Sequence, residues 1–328
     1  MDTEKMFAIE VISKAAVLTK KLQREKTTLF LEKDDKSPVT AADFGSQILV
    51  THYLQKYFPE DSFAAEENIL ELSEEKLSIL EPIMGLLSNE IEDFSLEKII
   101  AREKSQNPMR NSSRLWVLDP IDGTKGFLRG EQFAIALALL QDYQPILGVL
   151  GCPNLNEQAE PDTEGNGAIA YAIREQGAYI QEIDRPGSPK RLLVSNTTNP
   201  GQARFVSSVD STGHSNSDAI DSLRSHLGNR EEIKQFDSQA KYVMVAAGKF
   251  DLFLRLPPAK NPNYREKIWD HAAGALIVEE AGGAVTDIYG KRFDYSQGRA
   301  MEKNRGVAVS NGHIHDAIVK FLSRDNMG

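Results

Sequence analysis

An α/β fold in two domains is what this sequence predicts, and three observations carry that expectation. The first hundred residues repeat apolar side chains at helical spacing, the residues from Trp116 run in short extended blocks, and beyond residue 200 strand-like and helix-like blocks alternate. With 328 residues and 41% hydrophobic content, the chain has about two domains' worth of length and can fill a sizeable core.

The elements follow in order. Ile9, Ile12, Ala15, Ala16 and Leu22 share one face of a helix expected over residues 4–24. A polar break over 32–38 leads into a second helix, opening near Thr40 and ending at Tyr57 or Phe58 before Pro59. Residues 70–104 look helical, interrupted by Pro82 and Gly85, and 105–113 form a polar loop. Trp116, Val117 and Leu118 read as a short buried strand, after which Pro120 bars helix and Gly123 permits a sharp bend. Strands are expected over 133–141 and 145–151, joined around Asp142 and Tyr143, and over 168–174 and 178–181, joined by Gln176 and Gly177. The acidic, glycine-containing stretch 156–167 is a loop, and the domain boundary is expected just before it, giving domains 1–155 and 156–328. In the second half, 204–209 and 250–256 read as strands and 217–227, 241–247, 271–281 and 311–323 as helices. Gly248 and the Gly282-Gly283 pair act as stops.

Composition excludes several classes. A formal charge of −10 argues against a nucleic-acid polymer as partner, because such binding needs Lys and Arg to neutralise many phosphates. The longest apolar run, 133–140, falls far below the ~18 residues that mark a membrane span. MDTEKMFAIE lacks the order of a targeting segment, and the single Cys152 rules out an intramolecular disulfide, so a cytoplasmic protein is expected. Nothing in the sequence calls for an obligate protein partner.

The stretch 116–130, WVLDPIDGTKGFLRG, sets Asp119 and Asp122 three residues apart where a strand runs into a turn, so both carboxylates can converge on one volume. Mg²⁺ takes hard oxygen ligands, commonly one or two carboxylates completed by water and phosphate, and two ions about 3.5–4 Å apart can clamp both oxygens of an in-line displacement. The N–H groups of Gly123 and Thr124 could cradle a phosphate if a helix begins there. Asp-Pro-x-Asp-Gly is also simply a good turn. By the same local logic Asp270, just before an apolar helix, is a helix cap; Thr40 to Asp43 is a capping box; and Glu66 and Glu67 are a solvated strand edge.

DPIDGT resembles the signature of the lithium-sensitive, magnesium-dependent phosphatases related to inositol monophosphatase, and DPIDGTKGFLRGEQFA is similar to their 3'(2'),5'-bisphosphate nucleotidase branch. WDHAAG resembles the second family signature and SPVTAAD the first acidic element. FPED followed by EEN is similar to the Phe-Pro and Gly-Glu-Glu-Ser element, with Ala65 where Gly is usual and Asn68 where Ser is usual. The likeness runs from Asp43 to Gly312 and implies a layered α-β-α-β-α sandwich of the inositol monophosphatase and fructose-1,6-bisphosphatase type. It implies that Glu66, Asp119, the carbonyl of Ile121, Asp122 and Asp270 hold two or three Mg²⁺ ions. It also implies that Asp43 and Thr124 orient and deprotonate the attacking water, the hydroxyl accepting from water while donating to the carboxylate.

Thr212 to Ser215, DSQAKY over 237–242 and FLRLP over 253–257 resemble segments that hold adenosine 3',5'-bisphosphate. Gly123, Thr124, His214, Ser238, Lys241, Arg255 and Asp270 would then contact substrate. Without the resemblance, His214 is a loop histidine, Ser238 a helix cap, Lys241 a solvated face and Arg255 an edge-strand charge. A second, remote phosphate would require cations such as Lys241 and Arg255. The implied activity is removal of the 3'-phosphate from adenosine 3',5'-bisphosphate, and from 3'-phosphoadenylyl sulfate, with Li⁺ and Na⁺ as inhibitory ions. The alternatives are an inositol polyphosphate 1-phosphatase or inositol monophosphatase on the same scaffold, and a non-catalytic sensor of the nucleotide. Lys125-Gly126 and DSQAKY favour the nucleotide, and a pure sensor has no need of Asp43 with Thr124. His313, His315 and Cys152 match no partner and are taken as structural.

Overall fold

Two sheets and the helices between and outside them form five layers in the computed structural model, which describes residues 1–25, 30–32, 38–69, 80–91, 94–97, 99–100, 113–184, 187–209, 217–258, 261 and 263–324. Helix α1 (Asp2–Glu25) buries Ile12, Ala15, Ala16 and Leu22 as their spacing requires, and Ile9 is half-buried. A two-stranded hairpin, β1 (Phe30–Glu32) with β2 (Pro38–Thr40), precedes α2 (Ala41–Tyr57). Helix α3 (Glu81–Glu90) takes Pro82 into its first turn and carries Gly85 in its middle, so neither residue interrupts it; a proline there gives up an N–H that has no helical partner anyway. Positions 70–79 and 101–112 lie outside the described residues.

The first sheet runs β3 (Ser62–Ala65), β4 (Arg114–Asp122), β5 (Ala134–Gln141), β6 (Gln144–Cys152), β7 (Ala168–Ile173), β8 (Gly177–Glu182), β9 (Lys190–Arg191), in that spatial order. Only β3 with β4 is parallel. The expected strand at Trp116 to Leu118 proves longer, because pairing on both sides carries β4 past Pro120. Loop 156–167, where the sequence places a division, joins neighbouring strands β6 and β7 of this one sheet. Short α4 (Thr124–Arg129) separates β4 from β5.

The second sheet follows the order β11 (Lys234–Gln235), β10 (Phe205–Ser207), β12 (Leu252–Arg255), β14 (Val307–Ser310), β13 (Ala284–Thr286). Strands β11, β13 and β14 are absent from the sequence-based reading, since two to four residues are too few to show a period. The remaining helices are α5 (Ser217–Leu227), α6 (Ala240–Ala246), α7 (Ala272–Glu280) and α8 (His315–Arg324). Residues 311–314, expected as helix, precede α8.

Alternation along the strands divides the interior into three cores. Ile135, Leu137 and Leu139 of β5 face α1 to α3, while Ala134, Ala136 and Ala138 join α6, α7 and one face of the second sheet. The other face of that sheet packs Leu252 and Leu254 against α5 and α8, where Ile318, Phe321 and Leu322 are buried. The small residues of the middle core allow close approach: a Cβ on Gly148 would lie 2.8 Å from the Ala273 carbonyl oxygen, and one on Gly274 2.5 Å from the Tyr242 ring. No helix among the described residues is long and apolar enough to cross a membrane.

Candidate active site

Parallel pairing matches Ala65 with Leu118 and continues through a bond from Glu66 N to Leu118 O, 3.1 Å, so Glu66 leaves the end of β3 beside Asp119 of β4. Against β5 the register shifts: Asp119 pairs with Ala136 and Asp122 with Ala134, which leaves one extra residue on β4. Pro120, lacking an N–H, is suited to that bulge. In a regular strand an odd spacing would send Asp119 and Asp122 to opposite faces, and the extra residue lets both reach one site. Gly123 then adopts φ +86°, and a Cβ there would meet the Cβ of Ser238 at 2.9 Å, so two constraints select glycine. Ser238 is itself left-handed at φ +69°.

The capping reading of Asp43 holds in full. Its Oδ2 accepts from Thr40 N at 2.8 Å and from Thr40 Oγ1 at 2.6 Å, while Thr40 Oγ1 accepts from Ala42 N and Asp43 N. Its second oxygen faces elsewhere: Thr124 Oγ1 lies 3.5 Å from Asp43 Oδ1 and 3.2 Å from the Ile121 carbonyl oxygen. Structure and site therefore divide the two oxygens of one carboxylate. Asp270, by contrast, is not the cap of its helix, because α7 begins at Ala272 after His271. Its Oδ2 instead lies 3.6 Å from Arg255 Nη1.

Asp119 is 1% exposed, and its Oδ1 has no hydrogen-bond partner among the described residues. Burial pushes its carboxyl well above the usual range, and the neighbouring Glu66, Asp122, Asp270 and Asp43 push it further. Burial likewise raises Asp270, against the pull of Arg255, and raises Asp122, against Lys241 and Arg255. Hard carboxylate oxygens crowded until they resist ionisation, one of them buried without a partner, fit a small divalent cation.

Lys241 is 4% exposed, not on a solvated face; its Nζ donates to the Phe236 carbonyl at 3.0 Å and lies over the Phe253 ring. Burial pulls its ammonium down to about 8, opposed by Asp122 and Asp237. Arg255 occupies β12 in the middle of its sheet rather than at an edge, with Nε 3.2 Å from Glu266 Oε2. Ser238 Oγ accepts from Ala240 N at 3.2 Å, the local role expected of a cap, although Gln239 holds the position next to α6. A cavity of about 190 Å³ joins these groups, bounded by Glu66, Asp122, Thr124, Lys241, Arg255 and Asp270. His214 lies outside the described residues.

Two features escaped the sequence reading. Glu266 Oε2 meets His271 Nε2 at 3.1 Å, whose Nδ1 meets the Tyr242 hydroxyl at 2.7 Å, a buried relay behind Arg255. Gln239 donates from its backbone N to Asp122 Oδ2 and from Nε2 to the Trp269 carbonyl. Only the position of Gln239 inside DSQAKY hinted at either.

The chain matches the inositol monophosphatase family over residues 2–324. It is 36% identical to the 3'(2'),5'-bisphosphate nucleotidase of Schizosaccharomyces pombe, across 97% of this chain and 94% of that protein. It is 41% identical to the corresponding nucleotidase of Oryza sativa, across 88% and 85%. Among solved structures, an IMPase of Thermotoga maritima aligns over 100% of both chains with a TM-score of 0.67 at 24% identity, a likeness of fold.

Proposed function

The chain belongs to the inositol monophosphatase family, and from that premise we propose that it hydrolyses the 3'-phosphate of adenosine 3',5'-bisphosphate to give AMP, and that of 3'-phosphoadenylyl sulfate. The observation that carries this reading is the gathering of Glu66, Asp122, Thr124 and Asp270 around one cavity that Lys241 and Arg255 also line, with buried Asp119 beside those carboxylates and Asp43 Oδ1 facing Thr124.

Glu66, Asp119, the Ile121 carbonyl, Asp122 and Asp270 would hold Mg²⁺, two or three ions per site, which when bound polarises the phosphate and stabilises the leaving oxygen. Thr124 Oγ1 accepts a hydrogen bond from the attacking water and passes its own proton bond to Asp43 Oδ1, so the carboxylate receives the proton. The capping bonds to Asp43 Oδ2 keep the other oxygen aimed at Thr124. Backbone N–H groups of Gly123 and Thr124 meet the scissile phosphate, while Ser238, Lys241, Arg255 and His214 meet the nucleotide. A buried ammonium and a half-buried guanidinium make stronger charge-assisted bonds to a second phosphate than solvated ones would. The cytoplasm is the compartment proposed, in keeping with a free, buried Cys152.

The test is phosphate release from adenosine 3',5'-bisphosphate, 3'-phosphoadenylyl sulfate, inositol 1-phosphate and inositol 1,4-bisphosphate at saturating Mg²⁺. A kcat/KM at least about tenfold higher on the nucleotides supports the reading, a preference worth ~1.4 kcal/mol. Preference for an inositol phosphate would reassign the substrate, and nucleotide binding without turnover would make the chain a sensor.

A further inference from the structure

Three segments that carry candidate metal carboxylates meet around Trp269. The guanidinium of Arg299 lies over the buried indole, 4.7 Å from the ring centroid, and its Nη2 donates to the carbonyls of Ala65 at 2.7 Å and Glu66 at 3.1 Å. Arg299 is placed by a short antiparallel bridge, in which Ile268 N donates to Arg299 O at 3.1 Å and Met301 N to Glu266 O at 2.9 Å. From the other side Gln239, 2% exposed, donates through Nε2 to Trp269 O at 3.1 Å and through its backbone N to Asp122 Oδ2. The amide of Gln239 has one workable orientation, because turning it would set Oε1 against the Trp269 carbonyl. Its Oε1 has no partner among the described residues, so the side chain accepts an unsatisfied oxygen to keep the bond to Trp269.

Glu66 follows β3 and Asp270 precedes α7, segments far apart in the sequence, so their spacing has to be set by contacts between those segments. The Glu66 segment is held to β4 by the bond from Glu66 N to Leu118 O and to α2 by Gln47, which bonds both Glu67 N and Glu67 O, while Arg299 ties it to the Trp269 segment. A planar guanidinium can stack on indole while its N–H groups reach two carbonyls, whereas an ammonium cannot match that geometry.

We propose that Arg299 and Gln239 are positioning residues that act through Trp269 to set the spacing of Glu66, Asp122 and Asp270, and so govern divalent-cation affinity rather than nucleotide affinity, a role that rests on the cation assignment made above. The experiment is direct Mn²⁺ binding, followed by the EPR signal of free Mn²⁺, on wild type, Arg299→Lys, Arg299→Gln, Gln239→Met and the Arg299→Gln/Gln239→Met pair. Mg²⁺ half-saturation of turnover and nucleotide KM at saturating Mg²⁺ are read alongside. The expected result is a Mn²⁺ Kd raised about tenfold in each single variant, as for other residues that orient metal ligands, with nucleotide KM changed less than about twofold. The paired variant should lose less than the product of the two, because both act on one residue, Arg299 on the Trp269 ring and Gln239 on its carbonyl. Arg299 is exposed, so its variants fold even if Gln239→Met does not. Unchanged Mn²⁺ affinity, a parallel rise in nucleotide KM, or wild-type affinity in Arg299→Lys would overturn the brace. Absence of Mn²⁺ binding by the wild type would overturn the cation assignment itself, and the brace with it.

Discussion

At Asp119 a carboxyl group is buried beside Glu66, Asp122, Asp270 and Asp43, an arrangement that costs several kcal/mol unless a cation neutralises it. Asp119→Asn keeps the shape and removes one negative charge. Turnover should fall by on the order of 10² or more, and Asp270→Asn should behave alike. Melting in chelator should be unchanged or higher for Asp119→Asn, while the rise in Tm on adding Mg²⁺ shrinks. A variant that keeps wild-type turnover would return its residue to a turn or packing role. A pH dependence follows from the same groups. Asp119 and Asp270 hold their protons more tightly folded than unfolded, so their contribution to the stability of the metal-free protein is greatest in acid and is lost as pH climbs above the ordinary 3.8 through the raised range. Tm measured in chelator between about pH 5 and pH 8 should fall, and Mg²⁺ should flatten the slope. The acidic residues of the site were legible because their motifs are local in sequence. Lys241 was legible only through its motif, and its burial was not legible at all: that depends on the Phe236 carbonyl and the Phe253 ring, which no spacing rule brings together. Glu266 and Arg299 sit in unremarkable strings and gain their partners only by folding.

Helix α2 and strand β4 each serve structure and site with the same residues. Thr40→Ala removes the hydroxyl that caps α2 and binds Asp43 Oδ2, so it should cost about 1 kcal/mol of stability with a modest loss of turnover. Asp43→Asn retains an oxygen for the capping bond but cannot take a proton. Its turnover should drop by about 10²–10⁴ while Tm moves little, as read by thermal melts and initial rates on the same preparations. Equal losses in both assays would leave Asp43 as a cap alone. The capping box was readable because it spans four residues. The bulge in β4 was not, since it exists only relative to Ala134 and Ala136 on the partner strand, and Pro120 was accordingly taken as an end rather than a kink.

Layer order was implied by family likeness and appears in the separation of the three cores, whereas the short strands of the second sheet lie below the length at which periodicity speaks. An open cavity lined by carboxylates from several layers is poorly selective by size for small hard cations. Li⁺, similar to Mg²⁺ in radius with half its charge, should inhibit at concentrations on the order of millimolar. Rates in LiCl and KCl at matched ionic strength and fixed Mg²⁺ isolate the effect from screening, and equal rates would remove lithium sensitivity while leaving the phosphatase reading intact. Helix α7, wedged between the sheets with Asp270 just ahead of it, also dictates when the protein becomes active in its own synthesis. A nascent chain that has left the ribosome only as far as β8 carries Asp119 and Asp122 but offers water the alanine face of β5 and β7, with nothing yet to cover it. Helix α7, with α6, covers that face, and Asp270 comes with α7. A chain truncated before Trp269 lacks both that cover and that carboxylate, so it should show no turnover and should leave the alanine face open to water.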